Sequence, residues 1–136
     1  MLFTVFSSTA FCGENGHIIG GVYYDNLNHV NARLGYSYYL KKPQKDFALL
    51  DSPVLFGEIE AGEKGQKITL GYGYANYVAG MGGSYRVGLS AAELNNETFL
   101  GIESVASIFV VGFKLGAYRN IDTGENELLL GIGLGF

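Results

Sequence analysis

From Val30 to Leu40 the chain alternates: Val30, Ala32, Leu34, Tyr36, Tyr38 and Leu40 fall on one face, and Asn31, Arg33, Gly35 and Ser37 on the other. Period-two alternation predicts a strand whose two faces meet different surroundings. The pattern returns in Ile68, Leu70, Tyr72 and Tyr74 against Thr69, Gly71 and Gly73, and in Tyr85, Val87, Leu89 and Ala91 against Arg86, Gly88 and Ser90. It closes the chain in Leu128, Leu130, Ile132, Leu134 and Phe136 against Gly131, Gly133 and Gly135. One long run places Val105, Ser107, Phe109, Val111, Phe113, Leu115 and Ala117 opposite Ala106, Ile108, Val110, Gly112, Lys114, Gly116 and Tyr118. Glycine and charge collect on one face, and bulky apolar side chains on the other.

Turn chemistry separates these runs. Asp25-Asn26-Leu27-Asn28, Gly62 to Gly65, Asn76 to Gly83, Glu93 to Glu97 and Asn120 to Asn126 are rich in Gly, Asn and Asp, which tolerate positive φ or bond to their own backbone. Lys41-Lys42-Pro43-Gln44-Lys45-Asp46 ends a strand, because proline cannot donate to a ladder and the charges require water. The expected strands are 2–11, 17–25, 29–40, 53–61, 66–77, 83–92, 104–119 and 126–136, joined as antiparallel hairpins. The first dozen residues read either as the first strand or as the remnant of a signal peptide ending at Ala10-Phe11-Cys12, with residues 13–136 as a single β-barrel domain. If that segment is removed, splitting the 98–119 run restores an even count.

Composition narrows the class. With 21 Gly, 10 Tyr and 9 Phe but only 2 Pro in 136 residues, the chain reads as one all-β domain. No run of about 18 apolar residues occurs, which excludes a transmembrane helix and leaves open a barrel whose strands need only about 9–11 residues to cross. A net charge of −4, with no basic run longer than Lys41-Lys42, gives no footprint for nucleic acid. A soluble barrel hides its apolar face inside, whereas here the small and polar residues form the minority face and the tyrosines lie along the apolar one. The expected fold is an antiparallel transmembrane β-barrel of eight strands with up-and-down topology.

The last strand carries a further signal. Residues 126–136, alternating and ending on Phe136, resemble the C-terminal strand of small Gram-negative outer-membrane β-barrel proteins of the OmpA/OmpX type. The resemblance implies a bacterial outer-membrane location. It also implies outer-membrane lipid as surroundings, and Phe136, Leu134 and Ile132 as an assembly signal read by the barrel-assembly machinery. Finally, it implies a non-catalytic role in membrane integrity, adhesion, or binding of a lipid or surface ligand through loops, of which Lys41 to Ser52 is the longest polar candidate. Two other readings stay open: an outer-membrane enzyme modifying lipid A or phospholipid, and a soluble β-sheet binding protein.

Few residues carry chemistry. Arg33, Arg86 and Lys114 lie opposite the apolar face, and Glu58, Glu60 and Glu103 stand on or at the start of strands, so a lumenal ion-pair network is expected, since charges in a narrow lumen must be paired. Glu58 and Glu60 share a face, but this spacing is too common in strands to argue for acid–base catalysis. His17 and His29 flank the Ile18 to Asn28 hairpin and can approach across it; two ligands without a third at metal spacing argue for no metal. Hydrolysis needs a histidine near a serine, here His17 or His29 with Ser37, Ser84, Ser90 or Ser107 across strands, and no His-x-Ser occurs. The pairs Gly71-Tyr-Gly73 and Gly131-Ile-Gly133 open no helix, so they do not read as nucleotide-binding loops, and no cofactor is expected.

Overall fold

The computed structural model describes residues 12–13, 15–41, 52–78 and 81–135. Its strands, in chain order, are β1 (Cys12–Gly13), β2 (Gly16–Asp25), β3 (His29–Tyr39), β4 (Ser52–Gly62), β5 (Gly65–Val78), β6 (Met81–Leu94), β7 (Glu97–Ile108), β8 (Val111–Asn120) and β9 (Asn126–Gly135). Each pairs antiparallel with its sequence neighbours, and β2 also pairs with β9, from Gly21 opposite Gly135 to Asp25 opposite Gly131. That pairing closes β2 to β9 into an eight-stranded up-and-down barrel. The short β1 adds Cys12 opposite His17 on the same edge of β2.

The stagger of the ring follows from its register. Stepping sideways from Gly16 leads through Tyr38, Leu55, Tyr72, Val87, Ser104, Leu115 and Leu130. The last step reaches Asn26, whose backbone N–H donates to the Leu130 carbonyl, ten residues along β2 from the start. Closing eight strands with that shear tilts them by about 40° and sets a radius of roughly 8 Å.

Short turns knit one rim, here called the upper. The Asp25 carboxylate accepts hydrogen bonds from the backbone N–H groups of Leu27 and Asn28 at 3.1 and 2.7 Å, bending the chain back at once. Asn26 bonds to the backbone of Leu128 and Leu130 on β9, while the Asn28 side-chain oxygen accepts from Lys64 and Gly65 in the β4–β5 turn. Asn95 and Asn96, at φ 53° and 64°, make the β6–β7 turn; asparagine tolerates this left-handed geometry. At the lower rim lie the start of β2, the end of β9, the connection from β3 to β4, and the turns joining β5 to β6 and β7 to β8.

Two expectations change. The 104–119 run is two strands, because the chain reverses at Phe109-Val110, with β7 beginning at Glu97. Ile108 pairs with Val111 across this two-residue turn, so the odd-numbered residues, which point inward before it, point outward after it. Val105 and Ser107 are therefore buried inside, whereas Phe113 and Leu115 are exposed outside. The eight strands are thus reached by this split. The segment 2–11, the signal-peptide remnant as its alternative, and Phe136 lie outside the described residues.

Candidate functional site

The inside of the barrel holds the charge. Arg33, Lys67, Arg86 and Lys114 are buried there with Asp25, Glu58, Glu60 and Glu103, four cations against four anions. Strand parity brings them inward, and the register brings them together: Arg33 on β3 stands opposite Glu60 on β4, which stands opposite Lys67 on β5. On the other side, Gly131 of β9 lies between Asp25 of β2 and Lys114 of β8 in one row across the ladder. A Cβ at that glycine would crowd both neighbours, so the bare backbone is what lets Lys114 reach across a whole strand to Asp25 at 3.2 Å.

Two groups of ion pairs result. Glu58 lies between two guanidinium groups, 3.5 Å from Arg33 and 3.4 Å from Arg86. Arg33 donates to the Tyr23 hydroxyl at 2.6 Å and lies over the same ring, 4.2 Å from its centre. The second group alternates in sign along Asp25, Lys114, Glu60, Lys67 and Glu103. Lys114 also bonds to Glu60 and to the Asn31 side-chain oxygen; Lys67 lies 3.2 Å from Glu60 and 2.5 Å from Glu103. Tyr118 donates its hydroxyl proton to Glu103 at 2.6 Å. The first group carries one surplus positive charge and the second one surplus negative, so among the described residues the buried charges cancel. Breaking one buried partner leaves the other charge desolvated and unpaired, which costs several kcal/mol, typically about 3–5.

All six expected lumenal residues lie inside. Arg33 and Arg86 converge on Glu58, and Lys114 reaches Glu60, but Glu103 takes Lys67 as its cation. Lys67, Asp25, Asn31, Tyr23 and Tyr118 were not among the expected residues. Lys67 shares parity with Thr69, Gly71 and Gly73, so extending that alternation by one step would have found it, whereas β2 mixes Ile19 and Tyr23 with Gly21 on its inward face and gives Asp25 no such signal.

Apolar clusters lie above and below the charged layer, the lower one beside the buried His17, Ser37, Ser52, Ser84 and Ser107. Leu27, Leu94, Phe99, Leu129 and Ala92 pack with the Tyr118 ring beneath the upper rim, and Tyr39, Val54 and Ala75 pack near the lower one.

The histidines do not meet. His17 lies opposite Ser37 near the lower rim, buried inside, and His29 lies opposite Asp25 at the upper rim, beside Glu63 at 3.4 Å. The expected approach of the two histidines fails because β2 and β3 pair along their full length and carry them to opposite rims. Of the serines named as hydrolytic partners, Ser84 bonds to Ser107 at 2.6 Å and Ser90 to Thr69 at 2.7 Å, all buried within the barrel. The His17 and Ser37 pair likewise faces the interior. Among the described residues no group of three His, Cys, Asp or Glu side chains is arranged to hold a metal ion.

The outer wall has the opposite character. Leu34, Leu55, Ile59, Leu70, Leu89, Leu100, Ile102, Leu115, Leu128, Leu130 and Leu134 all project outward and are about half exposed or more, Leu89 reaching 70 %. Among the described residues, the outward strand positions carry charge only at Glu93 and Arg119, each next to the upper end of its strand. Tyr36, Tyr38, Tyr72, Tyr74, Tyr85 and Phe113 project outward toward the lower rim. Compared with protein-family models, curated proteins and solved structures, the chain finds no significant match.

Proposed function

We propose that this chain is a barrel spanning a bacterial outer membrane, acting as a non-catalytic and non-conducting component of that membrane. The observation that carries the reading is the inversion of polarity: an outer wall of exposed aliphatic side chains around an interior holding four cations and four anions. In water this wall would be a liability, since soluble monomers rarely expose contiguous apolar patches beyond a few hundred Å². In a bilayer it is what lipid requires, and the tyrosines near the lower rim suit the headgroup level. The soluble alternative would need those tyrosines turned inward.

A sealed interior is the expectation for eight strands, which leave room only for side chains, and the apolar clusters on either side of the charged layer agree with a structural role over a pore. The architecture also favours integrity over adhesion. The connection from β3 to β4, which contains most of the Lys41 to Ser52 segment proposed as a binding loop, leaves and returns at the lower rim, where β9 ends. Under the assembly reading that rim meets the assembly machinery, and the other side presents only tight turns. The lipid-modifying alternative would need a histidine and a serine together on the outer wall.

Cell fractionation tests the proposal. The protein should partition with outer membranes, require detergent, show a β-rich spectrum and migrate differently on gels when unheated. Planar bilayers containing it should show no stepwise conductance. Recovery as a detergent-free monomer from the periplasm would end the membrane reading, and regular conductance steps would end the sealed one.

A further inference from the structure

The turn between β7 and β8 is built unlike the other connections. Ile108, Phe109 and Val110 follow one another there, and each is more than half exposed. The other two connections at the lower rim carry charge or glycine in their sequences, Lys41 to Asp46 between β3 and β4 and Asn76 to Gly83 between β5 and β6. A two-residue hairpin turn in water favours asparagine, aspartate or glycine, yet Phe109 holds a φ of 54° there. Its backbone is partly withdrawn from solvent as well: the Val110 carbonyl accepts the Gly135 N–H of β9 at 2.8 Å. Depth sets this turn apart too. Glu93 and Arg119, the charged outward positions of the strands, mark the upper level at which the wall meets water. Descending β6 from Glu93 to Met81 passes twelve residues, which at a rise of about 3.3 Å and a tilt of about 40° is about 30 Å of height. Descending β8 from Arg119 to Val110 passes only nine, about 23 Å, whereas the apolar band of such barrels is about 25 Å tall. The β5–β6 hairpin therefore leaves the band, and the β7–β8 turn ends within it.

We propose that this turn is a lipid anchor, with Ile108, Phe109 and Val110 among the acyl chains of the leaflet at the lower rim. The inference rests on the membrane-spanning reading above and extends it from the wall to a turn. Composition and depth select the same occupant. Water would favour a polar turn here, and a soluble partner would find neither a charge nor a hydrogen-bonding side chain by which to orient itself. Acyl chains accept a bulky ring but solvate no backbone, and the bond from Gly135 removes one carbonyl from that cost. Because that bond comes from the end of β9, the anchor also holds the last strand at a fixed depth beside the seam.

Fluorescence quenching in phosphatidylcholine vesicles tests the anchor. The chain has no tryptophan, so Phe109→Trp, Ile102→Trp on the outer wall of β7 and Ile121→Trp in the β8–β9 turn each supply a single reporter. Phosphatidylcholine brominated on its acyl chains should remove about half of the emission of Phe109→Trp and of Ile102→Trp, and little from Ile121→Trp. Aqueous acrylamide should do the reverse. Wild-type protein in lipid nanodiscs gives the same reading without substitution: the Phe109 ring should show magnetisation transfer from acyl methylenes and resist broadening by a water-soluble gadolinium chelate. A Phe109→Trp reporter quenched from water like Ile121→Trp would overturn the anchor, and so would one protected from both quenchers, the mark of a second copy covering the turn. Ile102→Trp keeps the two claims apart. If it is quenched by lipid while Phe109→Trp is quenched from water, only the anchor falls; if both are quenched from water, the membrane reading falls with it.

Discussion

Tyr23 occupies room that glycines leave empty. A methyl group on Gly112 would overlap its hydroxyl, and one on Gly133 would meet its ring, while that hydroxyl accepts the Arg33 hydrogen bond. Tyr118 lies in the same way against Gly101 and Gly116. Gly112→Ala should therefore displace Tyr23 and lower stability by about 1–3 kcal/mol, the usual cost of overpacking. Tyr23→Leu should cost less in the Gly112→Ala background than in wild type, a coupling that equilibrium unfolding in detergent can measure. Lys67→Met should leave Glu103 without its cation and cost about 3–5 kcal/mol, with Glu103→Gln recovering part of the loss. The glycines on the minority face were legible as a crowded lumen, and Arg33, Arg86 and Lys114 as its charges, because parity alone decides which way they point. Which carboxylate each would take was not legible, since pairing depends on stagger around the ring, and stagger is a property of closure rather than of any one strand.

Strand boundaries were readable wherever a turn needed asparagine, aspartate or glycine. The Asp25 and Asn95-Asn96 turns announce themselves by residues that stabilise or tolerate sharp reversals. Phe109-Val110 announces nothing: Phe109 takes a positive φ of 54° at the first turn position, where glycine is the usual residue, so alternation runs through the sequence as if no turn existed. Tertiary pairing on both sides, Ile108 with Val111 and onward, imposes the reversal against local preference. Phe109→Gly should relieve this backbone strain and raise stability by about 1 kcal/mol, the lower end of what such a conformation costs. Unfolding of the variant in detergent checks the sign; a loss would mean that the ring's own contacts outweigh the strain.

For the whole molecule, the register makes a prediction free of side chains. A ring of eight strands that returns ten residues out of step should show strands tilted about 40° from the membrane normal in polarised infrared spectra of oriented bilayers. A tilt near zero would contradict closure with this shear. Net charge also has an address. Among the described residues the buried lumenal charges cancel, and Glu63, Glu93, Glu97, Asp122, Glu125 and Glu127 against Lys64 and Arg119 place a surplus equal to the overall −4 in and beside the upper turns. The seam between β2 and β9 adds one last consequence: a closed ring has no intrinsic first strand. Since the start of β2 and the end of β9 emerge at the same rim, a circular permutant joined there and reopened between β3 and β4 would keep every ladder while ending on β3. Such a chain would fold as well in a test tube yet offer the cell a different final strand, separating what the barrel is from how it is recognised.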